Sequence, residues 1–363
     1  MSGSSQPVIA ALRVRAARVP MPEPHQTASG AVVESPLVLT DVVTDAGVTG
    51  HSIVFTYTAA ALAPTAEFLR SLAPLVVGER LAPLDLENKL SRRFRLLGTQ
   101  GLVGMALAGL DMAVWDALAR TSGLSLVALL GGAPRPIRAY GAIGYDGAKR
   151  CAEVASEWVR RGFTGVKAKI GYPSVREDVE VIRAIRSAAG DGVAIMVDYN
   201  QSLTPLEAVQ RIRVLEDEGL EWVEEPTMAH DFDGHARIAR ESRTAIQCGE
   251  NWWGPLDVQH AVDAAASDYV MLDAMKIGGV TGWTRAAAML APRGIRVSSH
   301  LWPELSAQLL AVTPTAHWLE YADWWNVVLK EPLQIADGVA QEYGTRAGSG
   351  LEWNEAALAP LLI

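Results

Sequence analysis

Ile195-Met196-Val197-Asp198-Tyr199-Asn200-Gln201 begins as an apolar run and ends on an acid and an amide. Side chains alternate along a strand, so Asp198 and Asn200 share one face while Val197 and Tyr199 share the other. Polar residues end similar runs on both sides: Lys167 and Lys169 before it, then Glu224, Glu250, Asp273, His300 and Glu320 after it. From Lys169 the intervals are 29, 26, 26, 23, 27 and 20 residues, each about the length of one strand plus a returning helix. This spacing predicts an α/β fold, a TIM-type (β/α) barrel whose chemistry collects at the C-terminal rim of its strands.

Working outward, strands are expected at 137–145, 165–170, 193–199, 222–225, 245–249, 269–272, 295–299 and 318–321, with helical patterns between them. Eight is the count at which a parallel sheet closes on itself. Ahead of the barrel, residues 9–19, 36–44 and 48–58 alternate as strands, and Asp45-Ala46-Gly47 is turn chemistry. Helical periodicity follows to about residue 130. Strands followed by helices make an α+β unit. The expected organisation is thus a capping domain over 1–135, a modified barrel over 136–332, and a Gly-rich tail over 333–363 that returns to the cap. Residues 20–34, rich in Pro, Gly and small polar groups, read as an irregular loop of the kind that is usually functional.

At 363 residues, 49% of them apolar and 20% charged, the chain can bury a large core and fill two domains. The net charge of −9 argues against a nucleic-acid partner. No run of about 18 uninterrupted apolar residues is present to suggest a membrane span, and the first residues lack the pattern of a signal peptide. Cys151 and Cys248 fall in a helical and a strand pattern and read as reduced thiols of a cytoplasmic protein.

Asp198, Glu224 and Glu250 end three successive strands, hence lie side by side on the rim. Any one of them could cap a helix or pair with a neighbouring base. Three carboxylates together repel unless a cation sits among them. Oxygen ligands favour a hard divalent ion, Mg²⁺ first and Mn²⁺ second. Lys167 and Lys169, one residue apart, point the same way; paired ammonium groups depress each other's pKa, so one is expected to serve as a base. Asp273 and His300, from the sixth and seventh strands, read as a carboxylate fixing an imidazole tautomer. Glu320 on the last strand is placed to hydrogen-bond an anion if it is kept protonated.

Several ordered motifs also carry a resemblance. Lys167-Ala168-Lys169-Ile170-Gly171, Val197-Asp198-Tyr199-Asn200-Gln201, Glu224-Glu225-Pro226-Thr227, Gly249-Glu250-Asn251-Trp252, Asp273-Ala274-Met275-Lys276-Ile277-Gly278-Gly279 and Ser298-Ser299-His300-Leu301 resemble the mandelate racemase subgroup of the enolase superfamily. The likeness spans essentially the whole chain. It implies Asp198, Glu224 and Glu250 as Mg²⁺ ligands, Lys169 as one base and His300 with Asp273 as the other. It implies Lys167 as a carboxylate contact, Glu320 as a hydrogen-bond donor to an enediolate, and Asn200 beside the substrate hydroxyl. Contacts to the rest of a small carboxylic acid fall, by the same resemblance, to His25, Ser29 and Val32 of the 20–34 flap, to Tyr57 and to Ala142. A homo-oligomer is implied as well.

Departures concentrate around the substrate. His25, Gln26 and Ser29 make the flap more polar than in the family racemase, Ala142 and Ile143 replace its Ser and His, and Trp324 and Trp325 add bulk. The expected activity is removal of the proton α to a carboxylate, with racemisation or epimerisation of a 2-hydroxy acid as the first reading. Dehydration of an acid sugar by the same groups is the alternative. A barrel that binds metal and acid without turnover is the reading from another class.

Overall fold

A computed structural model describes residues 7–27 and 30–363. The capping domain opens with an antiparallel sheet of β1 (Ile9–Thr27), β2 (Gly30–Thr44) and β3 (Thr49–Phe55), with β2 in the middle. Gly47, at φ +77°, takes the left-handed place in the β2–β3 turn that a side chain would resist. The helix Gly101–Thr121 lies directly on this sheet: a Cβ at Gly50 would sit 2.3 Å from the Ala113 carbonyl oxygen and the Ala117 nitrogen. By length and composition that helix could cross a membrane, but 72% of its most apolar window is buried inside the protein, so its apolar surface is spent on the core.

The 20–34 segment is not an irregular loop. It continues β1 and β2 as a long hairpin, pairing Pro20 with Glu34, His25 with Val32 and Gln26 with Ala31, with a register shift between Pro20 and His25. Pro20, Pro22 and Pro24 recur at every second position on an edge strand, where a missing N–H leaves no ladder bond unmade. Proline there marks an edge, not a break.

The barrel consists of eight parallel strands: β4 (Arg138–Ile143), β5 (Gly165–Lys169), β6 (Ala194–Asp198), β7 (Val223–Glu224), β8 (Ile246–Cys248), β9 (Tyr269–Asp273), β10 (Arg296–His300) and β11 (Ala316–Tyr321). Pairing of β11 with β4, Trp318 opposite Arg138 through Tyr321 opposite Gly141, closes it. The sixth and seventh strands run one residue further than expected, ending on Asp273 and His300 themselves.

Strand alternation fills the interior in layers. Met196, Trp222, Met271 and Trp318 each stand two residues before Asp198, Glu224, Asp273 and Glu320, and with Tyr140 they form a dry cluster beneath the polar layer. The charged groups of the rim therefore rest on a packed apolar floor. After the barrel, the short hairpin of β12 (Gln334–Ala336) and β13 (Val339–Gln341) adds to β4 at Arg138, and the chain's last residue donates its N–H to the Ala16 carbonyl of β1.

Candidate active site

Strand register sets the site. Lys169 lies opposite Asp198, Asp198 opposite Glu224, and His300 opposite Asp273. Asp198, Glu224 and Glu250 are buried and each offers a carboxylate oxygen within 4.8 Å of the others. Glu224 is pinned from behind: Oε1 accepts from Lys167 Nζ at 2.5 Å, and Oε2 accepts from Trp222 Nε1 at 2.9 Å and Gln247 Nε2 at 3.1 Å. Burial, with Asp198 and Glu250 adding to it against the pull of Lys167, lifts the Glu224 carboxyl to about 8. Glu250 moves the other way: burial would raise it, but His300, Lys167 and Lys169 outweigh that and hold it below the carboxylate range. Glu250 Oε2 accepts no hydrogen bond, the nearest cationic atom being His300 Nε2 at 3.4 Å. Three converging acids, one of them pushed toward protonation by burial and then by the other two, and one with an unbonded buried oxygen, are the donor set that a hard divalent cation satisfies.

The two lysines depart from expectation. Each faces a carboxylate, Lys167 between Glu224 and Glu320 (Oε1 at 3.0 Å), and Lys169 with Nζ 2.7 Å from Asp198 Oδ2. Burial pulls both ammonium groups down, but Glu224 and Glu320 around Lys167, and Asp198 and Glu250 around Lys169, leave both above the ordinary lysine value. Mutual repulsion of the pair is the smaller effect here. Glu320 is a second correction. It was expected protonated, yet Lys167 and His300 overcome burial and lower its pKa, and its Oε2 accepts from the Leu301 N–H at 3.2 Å.

His300 Nδ1 lies 2.6 Å from Asp273 Oδ2. The other oxygen of Asp273 is held by the N–H groups of Met275 and Lys276 at 2.8 and 2.9 Å, so the carboxylate cannot swing away. Nε2 is left facing Glu250 and Glu320, at 3.4 and 3.6 Å. Burial lowers the imidazole's pKa, but Glu250, Glu320 and Asp273 together raise it above the ordinary value. Asn200 belongs to the acid cluster, its side-chain amide donating to Asp198 Oδ2 at 2.9 Å.

The described residues of the flap pack against the loop after β4 and against Trp324. Gln26 accepts from the Tyr145 N–H at 2.9 Å, Glu23 pairs with Arg150 at 2.6 Å, and His25 packs on Trp324 with ring centroids 5.0 Å apart. Burial first, and then the charge of Lys169, takes His25 down to about 3, so it is a neutral imidazole. Val32, opposite His25 in the hairpin, packs on the core, and Ala142 lies beside Lys167 on the neighbouring strand. Ser29 lies outside the described residues. Tyr57, from the cap, reaches Asp273 with its hydroxyl.

Six of the nine described non-glycine residues with positive φ lie at this mouth: Tyr57, Asn200, Gln201, Glu225, Leu301 and Trp302. Strained backbone of this sort persists where function fixes a side chain's aim. The sequence reading gave no role to a second network behind Glu250. Asn251 donates to Glu250 and Glu225 at 3.1 and 2.6 Å and accepts from Lys276 Nζ at 2.5 Å. Its signal was adjacency, Asn251 following Glu250 and Lys276 lying one helical turn beyond Asp273.

Comparison with known proteins agrees with this architecture. The model described as mandelate racemase / muconate lactonizing enzyme, N-terminal domain, matches residues 9–131, and the enolase C-terminal domain-like model matches 150–357. A solved enolase from Bradyrhizobium, complexed with magnesium and mandelic acid, is 43% identical, covers 99% of both chains and superposes with a TM-score of 0.94. L-talarate dehydratase from a Polaromonas species, complexed with Mg and L-glucarate, is 28% identical with a TM-score of 0.91 over 98% of both chains. The L-talarate/galactarate dehydratase of Salmonella typhimurium is 30% identical over 74% of this chain and 69% of its own length. The chain belongs to the mandelate racemase/muconate lactonizing enzyme family of the enolase superfamily.

Proposed function

We propose that this protein removes the proton α to a carboxylate and returns it from the opposite face, racemising or epimerising a 2-hydroxy acid as in the mandelate racemase subgroup. The observation that carries the reading is that two proton-transfer groups from distant strands converge on one acid triad. Lys169 Nζ lies 2.7 Å from Asp198, and His300 Nε2 lies 3.4 Å from Glu250.

Asp198, Glu224 and Glu250 would hold Mg²⁺, with Mn²⁺ as substitute. If bound there, the ion would supply positive charge to these carboxylates and to substrate oxygens. Lys169, its Nζ 2.7 Å from Asp198 Oδ2, is the base on one face. His300, with Nδ1 fixed by Asp273, holds or gives a proton at Nε2 on the other. Lys167 stays charged between Glu224 and Glu320 and stabilises negative charge as it builds on the substrate carboxylate. Glu320 lies between the two, 3.0 Å from Lys167 Nζ and 3.6 Å from His300 Nε2, and holds both side chains in place. Asn200 is set to meet the 2-hydroxyl.

A second reading, dehydration of an acid sugar, is favoured by one observation: the flap carries a polar imidazole, His25, packed on Trp324, where a phenyl-binding wall would be apolar. The Salmonella and Polaromonas relatives named above are such dehydratases. Incubation in D₂O with Mg²⁺ over 2-hydroxy acids and aldonates tests both. Deuterium at carbon 2 with inversion supports racemisation, a 2-keto-3-deoxy acid supports dehydration, and absence of both exchange and keto product with every acid contradicts both.

A further inference from the structure

Asp273 has two carboxylate oxygens and three kinds of partner. Oδ1 is taken by two backbone N–H groups of its own turn, so only Oδ2 responds to what lies around the mouth. His300 Nδ1 occupies Oδ2 at 2.6 Å. A second donor reaches the same oxygen from the capping domain, the hydroxyl of Tyr57 at 3.4 Å. Nothing on the barrel carries Tyr57. It follows β3, and its backbone is held at φ +58°, a conformation that costs a bulky residue free energy and needs the surroundings to enforce it. Those surroundings are visible: the ring packs on Phe55, centroids 4.7 Å apart, and lies under Lys276 Nζ at 4.7 Å. Lys276 is itself tied to Asn251 and donates its backbone N–H to Asp273.

We infer that Tyr57 is a positioning residue for the His300 side of the reaction, its hydroxyl fixing Asp273 Oδ2 so that the imidazole is aimed only when the cap is seated on the barrel. This rests on the proton-transfer reading above, but goes beyond a substrate-contact role for Tyr57. A wall residue would alter the binding of any substrate. A residue acting through Asp273 alters chiefly the His300 face of proton transfer, because Lys169 is paired with Asp198 and, among the described residues, makes no direct hydrogen bond or ion pair with Asp273.

The test is hydrogen exchange at carbon 2 in D₂O with Mg²⁺, each enantiomer of an exchanging 2-hydroxy acid taken separately, in wild type, Tyr57→Phe and Tyr57→Leu. The two faces are assigned by His300→Asn, which spares the enantiomer served by Lys169. Tyr57→Phe keeps the ring on Lys276 and removes only the hydroxyl. It should lower the exchange rate of the His300-served enantiomer about five- to tenfold, with KM unchanged, and leave the Lys169-served enantiomer within about twofold. Tyr57→Leu should add a rise in KM for both. Equal loss on both faces in Tyr57→Phe, or no loss on either, overturns the inference while the proton-transfer reading stands. Wild type that exchanges neither enantiomer of any acid overturns that reading and the inference with it.

Discussion

His300 turns Nδ1 onto Asp273 Oδ2 at 2.6 Å, and Asp273 is in turn clamped by two N–H groups of its own chain turn. One tautomer is therefore fixed by the fold, and Nε2 is the atom free to exchange a proton. Asp273→Asn keeps the shape but offers an amide that can present N–H to the ring. Exchange of the enantiomer served by His300 should fall by about a hundredfold or more, with the other enantiomer little affected. Stereospecific exchange rates measure this, and a symmetric loss would contradict it.

The acid triad carries an electrostatic prediction. With Glu224 lifted to about 8 and Glu250 leaving one oxygen unbonded, added Mg²⁺ should raise the melting temperature, and chelation should lower it again. Glu250→Gln should weaken Mg²⁺ binding about tenfold or more by isothermal titration calorimetry. Unchanged affinity would move the ion elsewhere.

Packing behind the mouth is tight at Gly141. A Cβ there would meet Trp158 Cδ2 at 2.2 Å, and Trp158 cannot retreat freely because its Nε1 donates to the Ala142 carbonyl at 2.9 Å. Gly141→Ala should cost about 1–3 kcal/mol in chemical denaturation, as overpacking does. A neutral result would mean that the helix Gly147–Arg160 yields more easily than its contacts suggest.

Buried His235 gives a pH dependence outside the site. Burial lowers its pKa to about 4, despite the bond of Nδ1 to the Asp231 carbonyl. The folded state thus binds this proton less readily than the unfolded chain, whose histidine titrates near 6.5, so stability is lost as pH falls between those values. The loss from this residue is at most about 3 kcal/mol, at about 1.4 kcal/mol per unit. His235→Phe should flatten the stability difference between pH 6.5 and 4 relative to wild type, and an unchanged slope would assign it to other groups.

Much of this was legible in the sequence because a barrel strand advertises itself twice, by an apolar run and by the polar residue that ends it. Asp198, Glu224, Asp273 and His300 each terminate such a run, and each is the last residue of its strand. The flap was misread because proline was taken as a breaker, when on an edge strand it only leaves a donor missing. The states of Lys167, Lys169 and Glu320 were misread for another reason. Which charge wins depends on partners 20 to 153 residues away, and adjacency of two lysines in sequence says nothing about charged groups arriving from other strands. Tyr57 and Asp273, 216 residues apart, meet only through docking of the cap, which no local pattern records.

The most direct measurement is deuterium incorporation at carbon 2 by Lys169→Ala and His300→Asn, each incubated with Mg²⁺ and each enantiomer of a 2-hydroxy acid that the wild type exchanges. Two opposed proton-transfer groups predict mirror-image behaviour, Lys169→Ala losing exchange of one enantiomer while keeping the other, and His300→Asn doing the reverse. Equal loss of both enantiomers in both variants would contradict the account.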